Sequence, residues 1–115
     1  MPIRVSEMLI ASDVWVAALI RRAELVGASA TVVRRGDARA GAVLVKVWNT
    51  GERRARVWSE AQGPTGEPLW LQPVESEMES EIDDWVRRQI TYDPDLWVVE
   101  IEDREGRHFL TEAVA

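Results

Sequence analysis

The sequence predicts an α+β domain in which two helices pack on an antiparallel or mixed sheet of five to six strands, in the order α-β-β-β-β-α-β-β. Three observations predict it: two segments have apolar residues at helical spacing, several short runs are rich in β-branched or aromatic residues, and turn residues separate these runs. A chain of 115 residues fits one domain, predicted here to span residues 1–115.

The two helices are recognised by their ends. Ser12 or Asp13 offers an N-cap oxygen, and Gly27 suits the left-handed position after the first helix. The second helix is predicted over residues 73–90, with acidic residues in its first turns and arginines in its last, and a proline-containing turn at residues 93–95 ends it. The broad apolar face of the first helix suggests packing on a sheet, and we expect both helices mainly on one face of it.

The strands are predicted over residues 28–35, 42–48, 52–60, 68–71 and 96–103, followed by a last strand near the C-terminus. We expect the last two strands to form a terminal hairpin. A three-residue turn at residues 104–106 would place Phe109 opposite Ile101 and His108 opposite Glu102.

The central hairpin, formed by the second and third strands, has a register that can be predicted from its turn. A three-residue loop with Gly51 in the left-handed position pairs Val45 with Ala55 and Val43 with Val57. A two-residue loop would instead place valines opposite arginines. The first register keeps apolar residues together and is therefore the predicted one.

This register predicts a mixed aromatic and basic surface on the side of the sheet away from the helices. We call it the hairpin patch, and its members are Leu44, Lys46, Trp48, Arg54, Arg56 and Trp58. Tryptophan and arginine are frequent energetic anchors of protein interfaces. Aromatic rings on a sheet can also stack unpaired bases. The alternative for the rings is burial under a loop or under the C-terminal segment, or stacking on arginine side chains.

One pair of residues suggests acid–base chemistry. A carboxylate at Glu102 could orient the imidazole of His108, but no nucleophile is evident beside them, and an exposed cross-strand ion pair worth less than ~1 kcal/mol is the favoured interpretation. The chain has no cysteine, which excludes thiolate nucleophiles and cysteine-based metal sites. Because phosphate-binding glycine loops, catalytic triads and paired histidines are also missing from the sequence, we predict neither a cofactor nor a metal.

The net charge and the first ten residues indicate where the protein is located and which partners are disfavoured. The net charge of −6 opposes nonspecific binding to nucleic acid or to an anionic membrane. Residues 1–10 have one cation and a short apolar run, so we expect neither a secretory signal nor a membrane span. A cytoplasmic protein without a membrane partner is the expectation.

Three blocks of sequence resemble a known family. They are DVWVAALIRRAE at residues 13–24, GASATVVRRGDARAGAVLVK at residues 27–46 and DPDLWVVEIEDREGRHFL at residues 93–110. In combination they resemble a small bacterial family of single-domain proteins, domain of unknown function 1491. The resemblance implies a bacterial cytoplasmic protein and supplies no catalytic residue.

The sequence thus favours a non-catalytic protein-interaction or adaptor domain that uses the hairpin patch, with a homodimer among the options. The alternative is binding of single-stranded nucleic acid by the same patch. A small hydrolase or transferase that uses His108 and Glu102 is a more remote alternative.

Overall fold

The computed structural model describes residues 10–115, which form two helices and six strands. In chain order these elements are α1 (Ser12–Leu25), β1 (Ser29–Arg34), β2 (Val43–Asn49), β3 (Arg54–Gln62), β4 (Pro68–Leu71), α2 (Glu79–Tyr92), β5 (Trp97–Asp103) and β6 (Ala113–Val114). The α+β class and the predicted order of elements are confirmed.

The six strands form one mixed sheet in the order β1-β5-β2-β3-β4-β6. The pairs β2–β5 and β4–β6 are parallel, and the other neighbours are antiparallel. The strands at the centre of the sheet, β5 and β2, are therefore adjacent although a helix and two strands separate them in the chain.

The two helices lie on opposite faces of the sheet, so the expectation that both share one face is wrong. Val43, Val45 and Val47 of β2 belong to a core cluster with residues of α1, whereas Leu44 belongs to a second cluster with residues of α2. The physical reason is that β2 and β5 are apolar on both faces, and such strands must be covered on both sides. The nearly continuous apolar run at residues 43–47 was the signal for this arrangement.

The observed ends of α1 agree only in part with those predicted from the sequence. Gly27 has φ +88°, and the N–H groups of Gly27 and Ala28 donate to the carbonyls of Glu24 and Ala23, which confirms the predicted left-handed end. At the start, however, no side chain caps the helix. The Ser12 hydroxyl donates to the carbonyl of Gly41 at 2.7 Å, so this residue ties α1 to the loop before β2.

The second helix begins six residues later than predicted. Residues 73–78 run beside the first half of β3, where the N–H of Ala55 donates to the carbonyl of Glu77 at 2.9 Å. The Glu77 carboxylate also accepts hydrogen bonds from Arg54 and Arg56. These contacts of Glu77 hold the segment beside β3 without helical structure, and α2 starts only at Glu79.

The predicted register of the β2–β3 hairpin is wrong. The strands pair Val45 with Trp58 and Val47 with Arg56, and a four-residue turn over residues 50–53 joins them. The side chain of Asn49 starts this turn by accepting the N–H of Glu52 at 2.8 Å. Because the shift from the predicted register is an odd number of residues, every side chain of β3 lies on the opposite face, relative to β2, from the predicted one.

The left-handed residue of this turn is Arg53, with φ 57°, and not Gly51. A left-handed conformation costs a residue with a Cβ about 1–2 kcal/mol, whereas glycine adopts it freely. Arg53→Gly should therefore raise the free energy of unfolding by about 0.5–1 kcal/mol in urea denaturation. A lowered denaturation midpoint would contradict the assigned turn.

The predicted terminal hairpin does not form, because β6 pairs with β4 at the far edge of the sheet rather than with β5. Residues 104–112, which we call the C-terminal strap, connect the two positions. At its start, hydrogen bonds from Arg107 lower the pKa of Asp103 to about 2. Further along, Arg22 of α1 donates from Nε and Nη2 to the carbonyl of Phe109 at 3.1 and 2.9 Å.

Candidate functional site

The six residues of the hairpin patch do not form one surface. Trp58 and Arg56 lie on the face of the sheet that α1 covers, beside Val45 and Val47. Leu44, Lys46 and Trp48 lie on the face that α2 covers. The prediction of one exposed face is therefore wrong, and its physical cause is the odd shift of the hairpin register. Since Trp48 and Trp58 lie on opposite faces, the platform for stacking bases is lost as well.

Trp58 lies in the core beneath the C-terminal strap. Its side chain is 3 % exposed, and its ring meets the His108 ring edge-on with 5.0 Å between centroids. This ring is therefore buried under the C-terminal segment, which was the alternative left open by the sequence. Trp48 is half-buried against the α2 side of the core.

The two arginines of the patch are exposed but are engaged by their own chain. Arg56 Nε donates to Glu77 Oε2 at 2.9 Å, and Arg54 Nη1 approaches Glu77 Oε1 at 3.3 Å. Hydrogen bonds from Arg56 and then Arg54 lower the pKa of Glu77. Arg54 also pairs with Glu52 in the turn. Their charges therefore hold residues 73–78 beside β3.

Lys46, the only lysine of the chain, is a buried clamp between the sheet and α2. Its Nζ lies 2.8 Å from Glu79 Oε2, 2.7 Å from Asp83 Oδ1 and 2.9 Å from Glu100 Oε1. Burial lowers the pKa of Lys46, but hydrogen bonds to Asp83, Glu79 and Glu100 outweigh burial and raise it above its ordinary value. The ammonium is therefore permanently charged and serves to fix α2 on the sheet.

His108 and Glu102 are not opposite each other, contrary to the prediction. Glu102 is exposed on β5 and pairs in register with Ser29, whereas His108 belongs to the C-terminal strap. His108 Nδ1 accepts the backbone N–H of Leu110 at 2.9 Å. Because the two side chains do not face each other, they do not form the suggested acid–base pair.

We expect the chain's single histidine to make stability depend on pH. Burial lowers the pKa of His108 in the folded chain, so the unfolded chain binds its proton first as the pH falls. Stability should be complete above the unfolded pKa of about 6.5 and should decline as the pH falls toward and through the lower folded pKa. In urea denaturation from pH 7.5 to 5.5, His108→Gln should lose less stability than the native chain. Equal losses would contradict a half-buried imidazole that is neutral in the folded chain.

A cluster of three side chains, which could not be predicted from the sequence, joins α1, β4 and the C-terminal strap. Its members are Trp15, Trp70 and Glu112. Trp15 and Trp70 stack with 5.2 Å between ring centroids, and both indole N–H groups donate to the carboxylate of Glu112, at 3.2 and 3.0 Å. Burial raises the pKa of Glu112, but hydrogen bonds from Trp15, Trp70 and Thr111 outweigh it and lower the pKa. Nothing in the local sequence links these distant positions.

A cavity of about 370 Å³ lies next to this group, between the start of α1 and the ends of β3 and β4. Its volume falls in the range of small-molecule sites. Its wall includes the two indoles of Trp15 and Trp70, together with Val43, Glu60 and Glu112. The carboxylate of Glu112 already accepts three hydrogen bonds, and Glu60 accepts the N–H of Val43 at 3.0 Å. These two carboxylates therefore form hydrogen bonds that connect elements of the fold.

The edge of the sheet at β1 is the feature of this structure most typical of an interaction surface. β1 pairs with β5 on one side, and no strand within residues 10–115 pairs with its other side. Val32 and Val33 are exposed, and Leu25 and Val26 at the neighbouring end of α1 are 69 % and 54 % exposed. An edge with free backbone groups and apolar side chains can accept another strand.

Comparison with known proteins decides the family. The sequence model described as "Protein of unknown function (DUF1491)" matches residues 10–111. The chain belongs to the DUF1491 family. No curated protein matches the chain.

Solved structures agree with this assignment. The crystal structure of a DUF1491 family protein from Caulobacter crescentus CB15 has 61 % sequence identity and a TM-score of 0.91, and the match covers 93 % of this chain and 100 % of that one. An NMR structure of a DUF1491 family protein from the same organism has 61 % identity and a TM-score of 0.88, with 94 % and 98 % covered. Protein Atu0922 from A. tumefaciens is 30 % identical with a TM-score of 0.75, over 89 % of this chain and 92 % of that chain.

Two further observations concern this DUF1491 chain as far as the structure describes it. In residues 10–115, neither helix has the length and apolar character needed to cross a bilayer. Over the same range, no three histidine, aspartate or glutamate side chains are placed to hold a metal ion.

Proposed function

We propose that this DUF1491 protein is a non-catalytic protein-interaction domain that binds its partner as an added strand along the β1 edge. The observation that carries the proposal is the outer side of β1, which no strand within residues 10–115 pairs with, together with its exposed valines. Strand addition supplies backbone hydrogen bonds for affinity, and alternate side chains supply specificity. The proposal places the protein in the cytoplasm, on the composition argument given above.

The amino acids of β1 support this use of the edge. Natural edge strands are usually protected by lysine, proline or charged side chains. Residues 29–33 contain none of these, and Arg34 is the first charged residue of the strand. A β-bulge between Val32 and Arg34 disturbs only the last part of the strand, so the regular part of this edge is residues 29–32, and the exposed Val33 lies directly beside it.

Lysine substitutions at two equally exposed valines test the proposal. Val33 of β1 and Val14 of α1 are each 57 % exposed, so each lysine adds the same charge at the same exposure. Immobilised native chain, Val33→Lys and Val14→Lys would be challenged with a lysate of Caulobacter crescentus and with soluble chain. We expect Val33→Lys to lose the bound protein and Val14→Lys to keep it. Equal binding by both variants would contradict an interface at β1.

A further inference from the structure

We infer that the strand added at β1 is the β1 strand of a second copy of this chain, in antiparallel orientation, so that two sheets join into one. This inference rests on the proposed use of the β1 edge. A two-fold interface requires that one surface be complementary to itself. Antiparallel pairing of two identical edges meets that requirement, because each backbone supplies the donors and acceptors that the other needs.

The charges around β1 favour this orientation. The strand is uncharged over residues 29–33, so pairing places no like charges opposite each other. Cations follow at one end, where Arg34 pairs in register with Val98 of β5 and donates from Nη2 to the carbonyl of Pro94 at 2.9 Å. Next to it, Arg35 stacks on the ring of Trp97. A carboxylate lies at the other end, where the exposed Glu102 is opposite Ser29.

Antiparallel pairing brings the arginine end of each copy beside the carboxylate end of the other. Arg34 and Glu102 lie on the α2 side of the sheet, since Arg34 pairs with Val98 of the α2-side cluster and Glu102 follows Glu100, which binds Lys46. A two-fold axis perpendicular to the sheet keeps these sides together. Arg34 of one copy and Glu102 of its partner therefore attract, whereas parallel pairing would bring like charges together.

The apolar residues fit the same arrangement. Val32 pairs with Val99, which belongs to the core cluster under α1, so Val32 lies on the α1 side of the sheet. The exposed Leu25 and Val26 end α1 on that side. The two-fold axis places both α1 helices on one side of the new strand pair, where these side chains can cover one another.

Sedimentation equilibrium of the full chain tests the inference from micromolar to millimolar concentration. We expect the native chain and Val14→Lys to reach twice the monomer mass, and Val33→Lys to remain a monomer. Glu102→Arg should weaken self-association by about tenfold or more, whereas Glu75→Arg, an equal charge change at an exposed residue before α2, should not. The Glu102 variant keeps the test valid if Val33→Lys fails to fold.

The outcomes separate this inference from the proposed function. A native chain that stays monomeric at millimolar concentration overturns the second copy as partner. If Val33→Lys then still abolishes binding of a lysate protein, the β1 edge remains the docking site and only the inference fails. If the chain dimerises and neither Val33→Lys nor Glu102→Arg weakens the dimer, the dimer forms through another surface. That result overturns the inference.

Discussion

Trp58→Ala should lower the free energy of unfolding by about 3–5 kcal/mol, the loss typical of removing a core aromatic side chain. The indole is buried among Val45, Val47 and the strap residue His108, so alanine leaves a cavity that the strap cannot close without losing its hydrogen bonds. Urea denaturation followed by circular dichroism measures the change.

Trp58→Phe is the matched control for this prediction. Within residues 10–115 the Trp58 Nε1–H has no hydrogen-bond partner, so phenylalanine removes a buried donor while keeping most of the apolar contact. We expect a loss well below that of alanine. If Trp58→Ala lowers the free energy of unfolding by less than ~1 kcal/mol, the Trp58 ring is exposed, as the predicted hairpin patch assumed.

Lys46→Met should lower the free energy of unfolding by about 2–3 kcal/mol. Methionine fills similar space but leaves Glu79, Asp83 and Glu100 close together without their cation. Removing one partner of a buried ion pair costs about 3–5 kcal/mol, and the smaller figure applies because these carboxylates are partly exposed to water.

Lys46→Arg is the control, because it keeps the charge and should recover part of the lost stability. The double variant Lys46→Met with Asp83→Asn should be more stable than Lys46→Met alone, since it removes one of the repelling carboxylates. If Lys46→Met is as stable as the native chain, the clamp between α2 and the sheet does not contribute to stability.

The elements of the fold could be predicted because their signals are local. The left-handed Gly27 depends on neighbouring residues only, and the structure has it. The apolar residues that identify β5 as a strand are likewise consecutive in the sequence. The boundaries of α2 were less predictable. Residues 73–78 carry acidic side chains of the kind typical of the first turns of a helix, but ion pairs of Glu77 with Arg54 and Arg56 hold the segment beside β3.

The candidate site could not be predicted because it depended on one turn. The side chain of Asn49 accepts a hydrogen bond inside a four-residue turn, and the resulting odd shift moves every side chain of β3 to the other face relative to β2. The position of the C-terminal strap could not be predicted from the sequence either. Its contacts, from Glu112 to Trp15 and Trp70, join residues 42 to 97 positions apart in the chain.

The β1 edge was missed for a different reason. Strand 28–35 was predicted, but sheet order follows from long-range pairing, and the parallel contact between β2 and β5 leaves β1 outermost. Only this placement puts the exposed Val32 and Val33 at an edge that no other described strand covers.

Amide hydrogen exchange tests most directly whether the β1 edge is the interaction surface. Exchange would be compared between dilute chain and chain bound to its partner or to a second copy. We predict slower exchange at residues 29–33 on binding, with no change at residues 54–58 of β3. Unchanged exchange along β1, or protection that appears at residues 54–58 instead, would contradict the account.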